Sequence, residues 1–162
     1  MNVYIIRHAW AEEPNEARWP DDSLRPLTKE GRAKFRRVAR RLGRFGVAPR
    51  VVVTSPFLRC VETAEILVSS WQEPMVLETV PFLAPQGDIH QLIEWTRTRM
   101  GQLSGDIAWV GHAPDVSKIL ATLIGGGTFH FAKAGIAAVQ FKGPIAAGEG
   151  TLLFLIPPSL LL

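Results

Sequence analysis

The chain has 162 residues, 47% hydrophobic and 20% charged, with 18 Lys and Arg against 15 Asp and Glu for a formal net charge of +3. This length suits one domain, residues 1–162, able to bury roughly 70% of the surface its unfolded chain exposes, and the composition excludes a disordered or fibrous chain. The lone cysteine, Cys60, excludes an internal disulfide, argues against a thiolate metal site and fits a reducing cytoplasm.

The first element is the apolar, β-branched run "VYIIR", which predicts a buried strand of a parallel sheet ending at Arg7-His8. Arg7, His8, Glu12 and Glu13 break this start before a secretory h-region can form, so a cytoplasmic location is expected. "KEGRAKFRRVARRLGRFG" follows as a helix with Thr28 as N-cap and Gly46 as its stop. Phe35, Val38, Ala39, Leu42 and Phe45 form its inward stripe. Arg36, Arg37, Arg40, Arg41 and Arg44 are left as a solvated face, so no nucleic-acid partner is expected.

"RVVVTSP" predicts a second buried strand and "LRCVETAEILVSSW" a helix with Leu58, Val61, Ala64, Ile66 and Leu67 largely on one side. "PMVLETVPFL" reads as a third strand and its exit, and "DIHQLIEWTRTRM" as a helix capped by Asp88. "DIAWVGH" is the fourth strand, and "PDVSKILATLIG" a helix with Pro114 in its first turn and Gly125 at its stop. The glycines at 125–127 lack a following Gly-Lys-Ser/Thr and so do not form a phosphate-binding P-loop. "GIAAVQFKG" and "GTLLFLI" predict two final strands, antiparallel to each other, with Leu152 to Ile156 in the core. The apolar tail "TLLFLIPPSLLL", which includes this last strand, is shorter than the ~20 residues needed to span a bilayer and is broken by Pro157 and Pro158, so no membrane partner is expected. Leu160, Leu161 and Leu162 either pack on the domain or serve a partner. The alternating order predicts a three-layer α/β/α sandwich with a mostly parallel central sheet.

Chemistry concentrates at three strand ends. The first closes on Arg7-His8, the second runs into Ser55-Pro56-Phe57-Leu58-Arg59, and the fourth closes on Gly111-His112. In a parallel sheet these ends share one edge, where ligands of open α/β folds bind. Two arginines and two histidines then converge as an anion trap. Guanidinium groups grip phosphate oxygens bidentately, while a neutral histidine is a nucleophile and a protonated one a donor. His90, in a helix, and His130, in a Gly-rich loop, fall outside this arrangement.

The segments "IIRHAWAE", "RPLTKEGR", "VVTSPFLRCVETAEIL" and "WVGHAP" resemble the histidine phosphatase superfamily, with its phosphoglycerate-mutase-like fold. Together with "FLAPQGD" they resemble its SixA-type branch of phosphohistidine phosphatases. The resemblance implies that His8 is the nucleophile that becomes phosphorylated. It also implies that Arg7 and Arg59 hold the phosphoryl oxygens, that His112 contacts the same group as a cationic donor, and that no metal or other cofactor takes part. Ala9 stands where the family has glycine. Larger members carry a glutamate acid on a segment inserted after the third strand. Here that region is only "VPFLAPQGDIHQL", in which Asp88 is the nearest acidic candidate, with Glu12 and Glu13 as weaker ones.

The expected function is a metal-independent phosphatase acting on phosphohistidine in proteins. A small-molecule phosphomonoesterase is the alternative, and a non-catalytic phosphate-binding module a further one. A metallohydrolase built on His8, His112 and Asp88 lacks ligand spacing in the sequence, and Arg7 and Arg59 would repel a cation. The sequence leaves the oligomeric state and the roles of Trp10 and Trp19 open.

Overall fold

A computed structural model describes residues 1–162. The strands are β1 (Asn2–Arg7), β2 (Pro49–Thr54), β3 (Val76–Thr79), β4 (Asp106–Gly111), β5 (Ile136–Gln140) and β6 (Thr151–Ile156). The helices are α1 (Lys29–Arg44), α2 (Leu58–Ser70), α3 (Ile89–Met100) and α4 (Asp115–Ile124). All six strands join one sheet in the order β3-β2-β4-β1-β5-β6. The four from β3 to β1 are parallel, and β5 and β6 are antiparallel to their neighbours. The expected α/β/α sandwich with a mostly parallel sheet is therefore the observed one. No helix is long and apolar enough to cross a membrane.

The period-two alternation of β1 divides the core. Tyr4 and Ile6 pack with α1 and α2 on one face, while Val3 and Ile5 pack with α3 and α4 on the other. Trp109 on β4 is fully buried in the second layer. Burying each Ile or Val of these strands contributes about 1.5–3 kcal/mol, which is why strands without alternation of polarity settle between two helical layers.

Local signals explain most boundaries. Thr28 caps α1 by accepting the Gly31 N–H at 2.8 Å, and Gly46 takes the left-handed conformation just past its end. Glycine is required at 31, where a Cβ would sit 2.2 Å from the Trp10 carbonyl oxygen. Trp10 thus packs against α1 and carries Lys34 over its ring, and neither Trp10 nor Trp19 lines the site described below. Arg36, Arg37, Arg40, Arg41 and Arg44 are exposed as expected; Phe45, placed in the inward stripe by period, is 72% exposed because α1 has already ended.

Three further expectations need correction. The side of α2 that faces inward carries Arg59, Cys60, Thr63, Ala64, Ile66 and Leu67, with Leu58 and Val61 only half-buried. Buried Thr63 is satisfied twice, since its hydroxyl donates to the Arg59 carbonyl and accepts the Ala9 N–H. Arg59, expected at the strand-to-helix loop rather than in the core, lies in the first turn of α2 and is 5% exposed. The segment Leu152–Ile156 is an edge strand paired only with β5 and half-exposed, not a core strand. Of the last three leucines, Leu161 is buried on the α1/α2 layer and Leu160 is exposed.

Candidate active site

Register brings the three predicted strand ends together. Arg7 on β1 stands opposite Gly111 on β4, and Thr54 on β2 stands opposite Val110. Backbone bonds extend the alignment past the strands, because the His8 N–H donates to Gly111 O and the Ser55 N–H to Val110 O, at 3.0 and 3.1 Å. His8 and His112 therefore emerge side by side, with ring centroids 5.5 Å apart and planes inclined at 62°. Arg59 reaches them from the first turn of α2. All four groups, Arg7, His8, Arg59 and His112, line one cavity of about 570 Å³ at the carboxyl ends of the parallel strands.

The hydrogen bonds fix what each ring can do. His8 Nδ1 lies 2.7 Å from its neighbour's carbonyl, Ala9 O. A carbonyl only accepts, so Nδ1 carries the proton and Nε2 is left with a free lone pair. Ala9 is fully buried, its N–H is spent on Thr63, and it has no left-handed φ; replacing the family's glycine removes no freedom this backbone uses. His112 Nε2 lies 2.8 Å from Ser55 Oγ, which accepts the Phe57 N–H and so has its own proton free for the ring. Phe57 packs edge-on against the His112 ring at 5.1 Å, and Cys60 Sγ is 3.4 Å from Nε2. Burial pushes the Cys60 thiol up to about 12, which leaves it un-ionised in this site.

Electrostatics sets the charge of both rings in the free site. Burial first, then the charges of Arg59, Arg7 and Arg25, bring His8 down to about 4 against the stabilising Ala9 bond. Burial and then Arg59 bring His112 down to about 3. Both rings are neutral near pH 7 in the free site. His112, expected to contact the phosphoryl group as a cationic donor, is neutral while the site holds no anion.

The guanidinium groups are held but not satisfied. Arg7 Nη1 donates to Phe131 O at 2.8 Å, while the buried Nε of Arg7 and that of Arg59 have no partner. Arg59 Nη1 donates to Asp22 O at 2.9 Å and its Nη2 meets Asp22 Oδ2 at 3.1 Å. Arg25 Nε donates to the other oxygen, Asp22 Oδ1, at 2.8 Å, and Arg25 Nη1 to Glu12 O at 2.7 Å. Asp22 is held below the usual carboxylate range, above all by the Arg25 bond. This bridge was not anticipated from sequence. Asp22, Arg25 and Ser55 are polar residues among many; the quoted segments "RPLTKEGR" and "RVVVTSP" include Arg25 and Ser55, and no motif marks Asp22.

Asp88 is placed elsewhere. It caps α3, accepting the His90 and Gln91 N–H groups at 2.8 and 3.1 Å, and does not line the cavity. The expectation that it could serve as general acid is corrected on that ground: the carboxylate caps α3 and does not line the cavity. The carboxylates that do line the cavity are Glu12, Glu13, Asp22 and Asp115. Asp115 Oδ2 accepts the Gln86 N–H at 2.8 Å. No three His, Cys, Asp or Glu side chains converge as a ligand set for a metal. His90 and His130 are exposed and outside the cavity. The arrangement can seat a tetrahedral oxyanion between two guanidinium groups and two neutral imidazoles, one with a nucleophilic lone pair.

Comparison with known proteins agrees with this geometry. The model of the histidine phosphatase superfamily (branch 1) matches residues 3–81. The phosphohistidine phosphatase SixA of Escherichia coli is 30% identical over 159 residues, covering 98% of this chain and 94% of that one. A solved structure of the protein histidine phosphatase SixA complexed with tungstate superposes with a TM-score of 0.87 at 29% identity, covering all of both chains. The alpha-ribazole phosphatase of Shigella flexneri shares the fold, with a TM-score of 0.68, 18% identity and 96% of each chain covered.

Proposed function

Because the chain belongs to the histidine phosphatase superfamily, and its similarity to SixA makes it a phosphatase, we propose that it dephosphorylates phosphohistidine in proteins through a covalent intermediate on His8. The observation that carries the reading is the tautomer of His8. Tied through Nδ1 to Ala9 O, the ring presents Nε2 as a nucleophile among Arg7, Arg59 and His112. Tungstate, the oxyanion in the SixA complex, is tetrahedral like phosphate and supports the anion-trap reading.

In the first step the His8 Nε2 lone pair forms a bond to phosphorus as the N–P bond to the substrate imidazole breaks. The substrate ring, protonated on its other nitrogen, leaves with that electron pair as neutral imidazole. In the second step water attacks phosphorus, the His8–P bond breaks, a proton leaves the water, and phosphate departs with His8 restored. Arg7, Arg59 and His112 neutralise the equatorial oxygens, which is the main demand of phosphoryl transfer. An imidazole leaving group has a pKa near about 6.5 and departs without a strong general acid, whereas an alkoxide needs one. That low demand for an acid suits a phosphoramidate substrate, and with Asp88 outside the cavity Glu12 and Glu13 on its wall are the candidates for protonating an ester's leaving group.

A turnover assay tests this: phosphohistidine peptide, a sugar phosphate and an aryl phosphate, each with and without a strong chelator. The peptide is expected to have the highest kcat/KM by about 10-fold or more, and chelator is expected to leave every rate within error, since two clamp arginines supply the positive charge. Preference for the sugar phosphate would favour the small-molecule phosphomonoesterase. Loss of activity restored by added zinc or magnesium would overturn the metal-free mechanism.

The pH profile is a second expected outcome. A nucleophile brought down to about 4 must be deprotonated, so kcat/KM falls as pH drops through about 4, not through the ordinary histidine range. In the complex the phosphoryl anion favours the charged rings, so the acid limb of kcat should lie at higher pH than that of kcat/KM. Stopped assays from pH 3.5 to 8, corrected for the phosphoryl group's own titration near about 6, decide it. An acid limb of corrected kcat/KM at or above about 6.5 would contradict the neutral, desolvated His8.

A further inference from the structure

The phosphoryl centre leaves two cations of the same cavity unused, Lys118 and Lys133. Both are exposed, and neither makes an ion pair or a side-chain hydrogen bond within the chain. Lys118 stands on α4, which packs against β1 and β5. Asp115, one turn earlier on α4, gives its carboxylate to the Gln86 N–H instead.

Lys133 is fixed relative to the nucleophile by its loop. Three bonds tie residues 131–135 to the end of β1: Arg7 Nη1 to Phe131 O at 2.8 Å, the Arg7 N–H to Gly135 O at 3.0 Å, and the Ala134 N–H to His8 O at 3.1 Å. Ala134 holds a left-handed φ of 61°, a conformation costly for a residue with a Cβ. The loop bonded to both Arg7 and His8 thus holds the backbone of Lys133 beside the site, and its side chain lines the cavity.

Charge on the cavity wall is also uneven. The segment after β1 carries Glu12 and Glu13, with Asp22 already paired with Arg25 and Arg59. The α4 side and the loop before β5 carry the two free ammonium groups. We propose that Lys118 and Lys133 form a second anion subsite beside the phosphoryl centre, which binds a carboxylate next to the phosphorylated group, so that the preferred substrate is a phosphohistidine segment with acidic flanking residues. The inference rests on the phosphohistidine reading above and adds the substrate's charge pattern to it. A free small molecule bearing a second carboxylate or phosphate offers the same chemistry.

The test measures kcat/KM at low salt for three phosphohistidine peptides with acidic, neutral or basic flanks, and for an aryl phosphate. Wild type and the K118Q/K133Q double variant of the full chain are compared. Two exposed ion pairs predict an acidic-over-neutral preference of about 5-fold in wild type, falling within 2-fold in the variant and shrinking in wild type at high salt. The aryl phosphate rate should stay within 2-fold, which also shows the variant to be folded. Equal rates on all three peptides in wild type, a preference that survives in the variant, or a parallel loss on aryl phosphate would each overturn the subsite. Should wild type hydrolyse phosphate monoesters but none of the peptides, the phosphohistidine reading fails on its own. The same pair of proteins is then compared on monoesters with and without a second anionic group: a lysine-dependent preference for the dianionic compound supports the subsite, and its absence overturns it.

Discussion

Replacing His8 by alanine is expected to lower kcat on any substrate by a factor on the order of 10⁴ or more, the scale seen when a catalytic nucleophile is removed. The fold should survive. His8 is 8% exposed at a strand end, its only side-chain bond is to its neighbour's carbonyl, and the backbone bonds to Gly111 and Ala134 do not involve the ring. In wild type, a reacting sample quenched at neutral to alkaline pH should carry phosphate on the peptide containing His8 by mass spectrometry. His112 should not be labelled, because its Nε2 is engaged with Ser55 and Cys60. Label found only on His112, or full turnover in His8→Ala, would refute the assignment of the nucleophile.

The second large effect is expected at Arg59. Arg59→Ala should reduce kcat/KM by about 100- to 1000-fold, equivalent to roughly 3–4 kcal/mol of lost transition-state stabilisation, and should weaken vanadate or phosphate binding in parallel. Burial makes this contact strong, since Arg59 is 5% exposed and a charge-assisted bond gains strength away from water. The same burial means the substitution has a structural side: Asp22 loses one of its two guanidinium partners, though Arg25 still holds it. A modest fall in Tm is expected with the sheet intact. Arg59→Lys separates charge from geometry, because a lysine keeps the charge but not the fork, so it should recover only part of the loss. Unchanged turnover and unchanged vanadate affinity in Arg59→Ala would remove Arg59 from the site.

Several features were legible in the sequence because they are local. The buried strands announce themselves as apolar β-branched runs, α1 by its period with Thr28 and Gly46 at its ends, and α3 by Asp88 before it. The convergence of Arg7, Arg59, His8 and His112 followed from one topological rule about parallel strand ends, together with the family resemblance. The sequence therefore determined the fold class, the family and the four groups that meet.

What only the tertiary structure decided depends on contacts between distant segments. No periodicity reports that α2 turns Arg59, Cys60 and Thr63 inward, because the partners that satisfy them, Asp22, His112 and Ala9, lie on other elements. That β6 is an edge strand follows from sheet order, which hydropathy does not encode. Asp88 could be read as cap or acid until its carboxylate was seen bonded to its own helix and away from the cavity. The protonation of the two histidines was the least legible feature of all. Residue type sets a pKa near 6.5, but burial and the surrounding arginines set about 4 and about 3, and both of those are properties of the folded cavity.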